Sequence, residues 1–235
     1  MLKKIIQKVN TTVIRRYYQV LLSIYLHNEH RGYQELEKLY SSLCTCLPHE
    51  NRLQDAVKKH AEDEKKHYFM FIYFLRKNKI KPLRVPRVYG YVDAFIELVF
   101  GSQTGDLNHQ RILADQSQRF SLFRLIMMTE KRGLKQVQAV LRQGWVKRNS
   151  ELVHLFQVIE SDEPSHFEPY EAHLELNGAQ GLTFKERLAD LWIHYSLMLL
   201  KLPFLYLSVL TPALTKFPHE DQELKDSCGV APAGT

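Results

Sequence analysis

Asp63-Glu64-Lys65-Lys66-His67 and Asp162-Glu163-Pro164-Ser165-His166 follow one pattern, an Asp directly before Glu-x-x-His. Each is preceded by another shared stretch, Glu29-His30-Arg31-Gly32 in the first half and Glu130-Lys131-Arg132-Gly133 in the second. Glu64 follows Glu29 by 35 residues, and Glu163 follows Glu130 by 33. Side chains at i and i+3 share a helix face, so each Glu-x-x-His can present a carboxylate and an imidazole together. On antiparallel helices the repeat gathers four carboxylates and two imidazoles at one level.

Four carboxylates in a helical core need compensation, because an isolated buried charge costs several kcal/mol even after relaxation. Two divalent cations balance them. Oxygen and imidazole donors without thiolate suit iron or manganese better than structural zinc. The expected ligands are Glu29, Glu64, His67, Glu130, Glu163 and His166. Glu35 and Glu37 compete with Glu29 for the first helix. On a helical wheel with Leu36 at zero, Glu29 falls at roughly +20° and Glu35 at roughly −100°. Glu29 therefore lies amid Leu22, Tyr25, Tyr33, Leu39 and Tyr40, and only Glu29 keeps the Arg-Gly match of the repeat.

Over residues 17 to 176 the paired motifs resemble the ferritin-like di-iron carboxylate superfamily. In layout the chain is most similar to the aldehyde-deformylating oxygenases and the demethoxyubiquinone hydroxylases. The resemblance implies an all-α fold, a ferritin-like four-helix bundle with a long crossover and an extra apolar C-terminal helix. It implies two iron ions, with manganese open in one or both sites. It also implies that Asp63 serves His166 and Asp162 serves His67, each carboxylate fixing an imidazole tautomer. Solvated acids are the plainer alternative. Arg31 and Arg132 read equally well as holders of these carboxylates and as surface charges.

Pro164 sits inside the second motif and Pro169 follows. Proline removes a helical N–H, so the fourth helix is expected to kink or unwind there, or to begin anew at Pro164.

The 235 residues are 45% hydrophobic and 25% charged, which fits one large folded domain. The expected layout is one domain over 1–215, with bundle core 12–176, an apolar C-terminal helix over 183–215 and a disordered tail at 216–235. Within it, a short basic opening spans 1–10 and long helices cover 12–42, 52–77, a third ending near 143, and 150–176. A crossover helix is expected over 92–100. Cys44, Cys46 and Cys228 give no disulfide framework. No leader with a small-residue cleavage site opens the chain, so a reducing cytoplasm is expected.

Residues 191–210 carry one formal charge, Lys201, and one proline, Pro203. Three readings stay open: a helix buried against the bundle or a subunit partner in a homodimer, a segment touching a membrane surface, and a span, which the Lys and Pro disfavour. The net charge of +6 favours an anionic surface, whereas no aromatic-basic module points to nucleic acid.

The resemblance implies an O2-activating di-iron oxidase or oxygenase, fed by an external electron donor and acting on a hydrophobic acyl, prenyl or quinone-like substrate. A tunnel near 191–210 would admit that substrate. Tyr33 and Tyr68 are candidate catalytic residues, to carry electrons or donate hydrogen bonds, though core tyrosines are the plainer reading. The alternative function is ferritin- or rubrerythrin-like iron oxidation or peroxide handling. The absence of a Cys-x-x-Cys pair disfavours a rubrerythrin.

Overall fold

The computed structural model describes residues 2–103, 105–179, 181–208 and 211–214, with side chains from residue 12 onward. Its elements in chain order are α1 (Leu2–Cys46), α2 (Asn51–Lys77), α3 (Tyr91–Phe100), α4 (His109–Ala114), α5 (Gln116–Leu141), α6 (Gly144–Lys147), α7 (Ser150–Leu176), α8 (Phe184–Ser196) and α9 (Leu202–Leu207). A π-helical turn, Leu197–Lys201, joins α8 to α9. The protein is all-α. Among the described residues the one β feature is an isolated bridge between Leu83 and Ala213.

The apolar pattern of the four longest helices fixes their directions. One core cluster takes Leu22 and Leu26 from α1, Phe71 and Phe74 from α2, Val137 from α5 and Phe156 from α7. The other takes Leu39 and Leu43 from α1, Val57 from α2, Phe123 from α5 and Leu174 from α7. The chain passes from first cluster to second along α1 and back along α2, then back along α5 and forward along α7. The helices thus pair antiparallel, α1 with α2 and α5 with α7, with α2 also against α7. Each carries polar residues between two apolar stretches. That middle level holds the site.

Local chemistry sets the helix ends. Asn108, Asp115 and Asn149 accept hydrogen bonds from backbone N–H groups in the first turns of α4, α5 and α7. Thr183 and Glu186 form a capping box at α8.

Several expectations change. α1 runs unbroken from Leu2, without a separate opening helix. α7 continues as α-helix through Pro164 and Pro169, neither unwinding nor restarting. Proline's fixed φ is itself helical, and the lost hydrogen bonds are offset by a buried face of Leu155, Ile159, Glu163, His166 and Tyr170. The tail expected at 216–235, with Cys228, lies outside the described residues.

Residues 191–208 are not packed away inside a bundle. Ile193, Leu197 and Leu205 are buried against Val20, Phe95, Leu125 and Met128, but Trp192, Leu199, Leu200, Phe204 and Leu207 are each at least 66% exposed. Phe184–Leu207 is long and apolar enough to cross a membrane by length and composition, yet little of it is buried in the protein.

Candidate metal centre

Glu29 from α1, Glu64 and His67 from α2, and Glu163 and His166 from α7 are buried, and Glu130 from α5 is nearly so. His67 Nδ1 lies 3.4 Å from Glu29 Oε2 and 4.0 Å from Glu64 Oε1. His166 Nδ1 lies 3.8 Å from Glu64 Oε1 and 3.9 Å from Glu163 Oε2. Two atoms each bonded to one ion at about 2.1 Å can stand at most about 4.2 Å apart. All four separations meet that limit.

Two sets of donors converge closely enough to hold an ion: Glu29, Glu64 and His67, and His60, Glu64, Glu130 and His166. Glu64 belongs to both. Glu35 and Glu37 belong to neither. Glu35 pairs with Lys38 at 3.0 Å and His109 at 3.5 Å, and Glu37 lies 3.8 Å from Lys65.

The donor atoms have the state a cation requires. Glu29 Oε2, Glu163 Oε2, His60 Nε2, His67 Nδ1 and His166 Nδ1 are buried without hydrogen bonds. A buried polar atom left so costs about 1–3 kcal/mol, and five at one level are unusual for a folded protein. Burial, then repulsion from Glu29, Glu130 and Glu163, pushes the Glu64 carboxyl far above its ordinary range. Burial, then repulsion chiefly from Glu130 and Glu29, does the same to Glu163. Glu130 is pushed up to about 8 by burial and by Glu29. Without a cation these acids keep protons; a cation bound among them would favour their ionised form. The residues present fit a metal.

Asp162 Oδ2 lies 2.9 Å from His67 Nε2, and Asp63 Oδ2 lies 3.4 Å from His166 Nε2. With each Nε2–H donating outward, Nδ1 keeps its lone pair for the centre. Neither Arg31 nor Arg132 braces these carboxylates. Arg31 lies 4.0 Å from Asp93 of α3, and Arg132 forks onto Asp190 of α8. Lysine does the bracing instead: Lys66 Nζ donates to both Asp63 and Asp162 at 2.7 Å, and Lys59 reaches Asp63. Burial alone would raise Asp63, but hydrogen bonds from His166, Lys59 and Lys66 outweigh it and hold the carboxyl well below its ordinary range.

Tyr33 and Tyr68 are buried and pack with His30 in a three-ring cluster, the centroids 5.2 to 5.7 Å apart. Tyr25 and Tyr170 feel the site acids. Burial first, then Glu29 and Glu163 for Tyr25 and Glu130 and Glu64 for Tyr170, raises both phenols and keeps them protonated.

An apolar cavity of about 60 Å³ touches Gly32 and Glu130 and is walled by Leu36, Leu39, Ile96, Leu122 and Leu125. It lies toward α3 and α4. None of the described residues 191–208 lines it, so the expected entrance from that segment is not where this cavity leads.

No family model matches the chain, and no curated protein and no solved structure matches it.

Proposed function

We propose that the chain is a ferritin-like di-metal carboxylate protein, holding two iron ions or manganese in their place, that uses O2 to oxidise a hydrophobic substrate. The observation that carries this reading is the convergence of Glu29, Glu64 and His67, and of His60, Glu64, Glu130 and His166, at one buried level, with Glu163 Oε2 3.9 Å from His166 Nδ1 and bare donor atoms among them. Bound there, a metal pair would supply O2 reduction and Lewis acidity. The chain's residues bind, orient and insulate. Glu64 stands within reach of both ion positions, while Asp162 and Asp63 hold His67 and His166 in the ligating tautomer. Tyr25 and Tyr170 keep their protons beside the acids and so add no further negative charge there. The core clusters above and below exclude water. Tyr33, His30 and Tyr68 form a ring path along which an external donor's electrons can reach the level of Glu29 and His67.

The test is metal analysis by mass of chain loaded anaerobically with ferrous ion, followed by O2 consumption with and without a long-chain aldehyde or a quinone. Two ions per chain and oxidised organic product support the reading; no metal uptake overturns it. The small size of the cavity beside Glu130 favours a second outcome, in which iron or peroxide is itself the substrate. A volume of about 60 Å³ is room for about two waters. Dioxygen uptake unchanged by any organic compound would decide for that reading.

The apolar ridge of α8 and α9 reads best as an interfacial segment that touches an anionic membrane. Arg132 and Tyr91 hold Asp190, Arg124 grips the buried Glu186, and Arg16 donates to the carbonyls of Leu205, Tyr206 and Ser208. A segment tied down at both ends lies along the protein instead of leaving it to span. Lys185 and Arg187 are exposed beside the ridge, as anionic headgroups require. Binding to phosphatidylserine vesicles tests it.

A further inference from the structure

Four residues before the Glu of each Glu-x-x-His, the two halves differ. The second half has Ile159, an ordinary core residue at 1% exposure; the first has His60, equally buried. An imidazole at i−4 from Glu64 and i−7 from His67 lies on the ligand face of α2. Its Nε2 is 3.7 Å from Glu130 Oε1 and 3.9 Å from Glu64 Oε1, and it has no hydrogen bond. Its ring stacks on that of His166, centroids 4.1 Å apart at 19°. On the far side, Nδ1 stands 3.5 Å from the Tyr170 hydroxyl; with Nδ1–H donating to that oxygen, the Nε2 lone pair faces the acids.

We propose that His60 is a third imidazole ligand, making the two metal positions chemically unequal. One is built from Glu29, Glu64 and His67. The other has His60 and His166 with Glu64 and Glu130, and Glu163 beside it. The two-fold repeat of the sequence therefore does not carry through to the metals. The position with two imidazoles is the richer in nitrogen and holds the softer divalent ions more tightly. The inference rests on the di-metal reading and adds to it.

Apo chain titrated with Co2+ tests both, read by visible absorption and by mass, without any assay of activity. Wild type is expected to take two ions in two resolved steps. His60→Gln should weaken one step by more than the roughly 10–100-fold that losing a supporting partner costs, leaving the other unchanged. His60→Ala, which opens space for a free ring, should recover that step with added imidazole. Two steps in wild type with the same affinities in both variants would overturn the role of His60 and leave the di-metal centre standing. Fewer than two ions in wild type would overturn both.

Discussion

Gly32 lies against Glu64 so closely that a Cβ built on it would stand 2.5 Å from Glu64 Oε2. The same relation recurs at 3.1 Å between Gly133 and Glu163 Oε1. The glycine of each Arg-Gly pair thus has a physical reason. The carboxylate of each Glu-x-x-His needs room on the facing helix one turn beyond Glu29 or Glu130. Glycine inside a helix costs about 1 kcal/mol relative to alanine, and here it leaves space for a ligand.

Gly32→Ala should therefore leave the fold intact and weaken the metal centre. The atom it strikes is the end of a flexible side chain, so Glu64 swings aside, while the better helix former stabilises α1 by up to about 1 kcal/mol. Thermal melts of the apo protein should hold or rise as Co2+ affinity falls. Gly133→Ala, with its wider spacing, should show the smaller loss. Equal metal affinity in wild type and Gly32→Ala would show that Glu64 does not need its present position.

Asp162→Asn and Asp63→Asn should each weaken metal binding by about 10–100-fold. Lys66→Met removes the cation shared by both aspartates and should act in the same direction at both positions. Isothermal titration with Mn2+ reads the change. Unaltered binding in all three variants would reduce these groups to surface charges.

The metal-free chain should lose stability as pH rises. Glu64, Glu130 and Glu163 hold their protons more tightly folded than unfolded. The native state then binds the extra protons, and stability falls with pH over the window from the unfolded carboxyl value to the folded one. For Glu130 that window runs from 4.5 to about 8. Below pH 6.5 the buried imidazoles of His60 and His166, whose proton affinity burial lowers, give the opposite slope, so apo melting temperature should drop most clearly from pH 6.5 to about 8, and Glu130→Gln should flatten part of that slope. Metal-loaded protein should lack the trend, since the acids are then ionised ligands. A rising apo curve over the same range would contradict the buried protonated cluster.

What the sequence disclosed was local. Glu64 with His67, and Glu163 with His166, follow from helical spacing, and the wheel separated Glu29 from Glu35, which faces His109 instead. What it hid depended on partners across helices. Arg31 and Arg132 have a face in the sequence but no visible destination, and their destinations are Asp93 and Asp190 on α3 and α8. His60 lies on the same periodic face of α2 as an ordinary core residue would, and only comparison with Ile159 in the matched half singles it out. Pro164 misled for an energetic reason. A missing N–H is a fixed local cost, whereas the compensating burial of Ile159, Glu163 and His166 is tertiary.

Leu199, Leu200 and Phe204 are about two-thirds exposed and belong to neither apolar cluster around the site. Full burial of such a side chain contributes about 1.5–3 kcal/mol. Half of the lower value across the three gives roughly 2 kcal/mol, more than a tenfold change in partitioning. The triple variant Leu199→Ser, Leu200→Ser, Phe204→Ser should therefore lose most of its flotation with phosphatidylserine vesicles while keeping metal uptake. High salt should weaken the wild type's binding, through Lys185 and Arg187, without abolishing it. Wild-type chain that stays off vesicles but sediments as a dimer, with the variant monomeric, would instead place a second copy on this ridge.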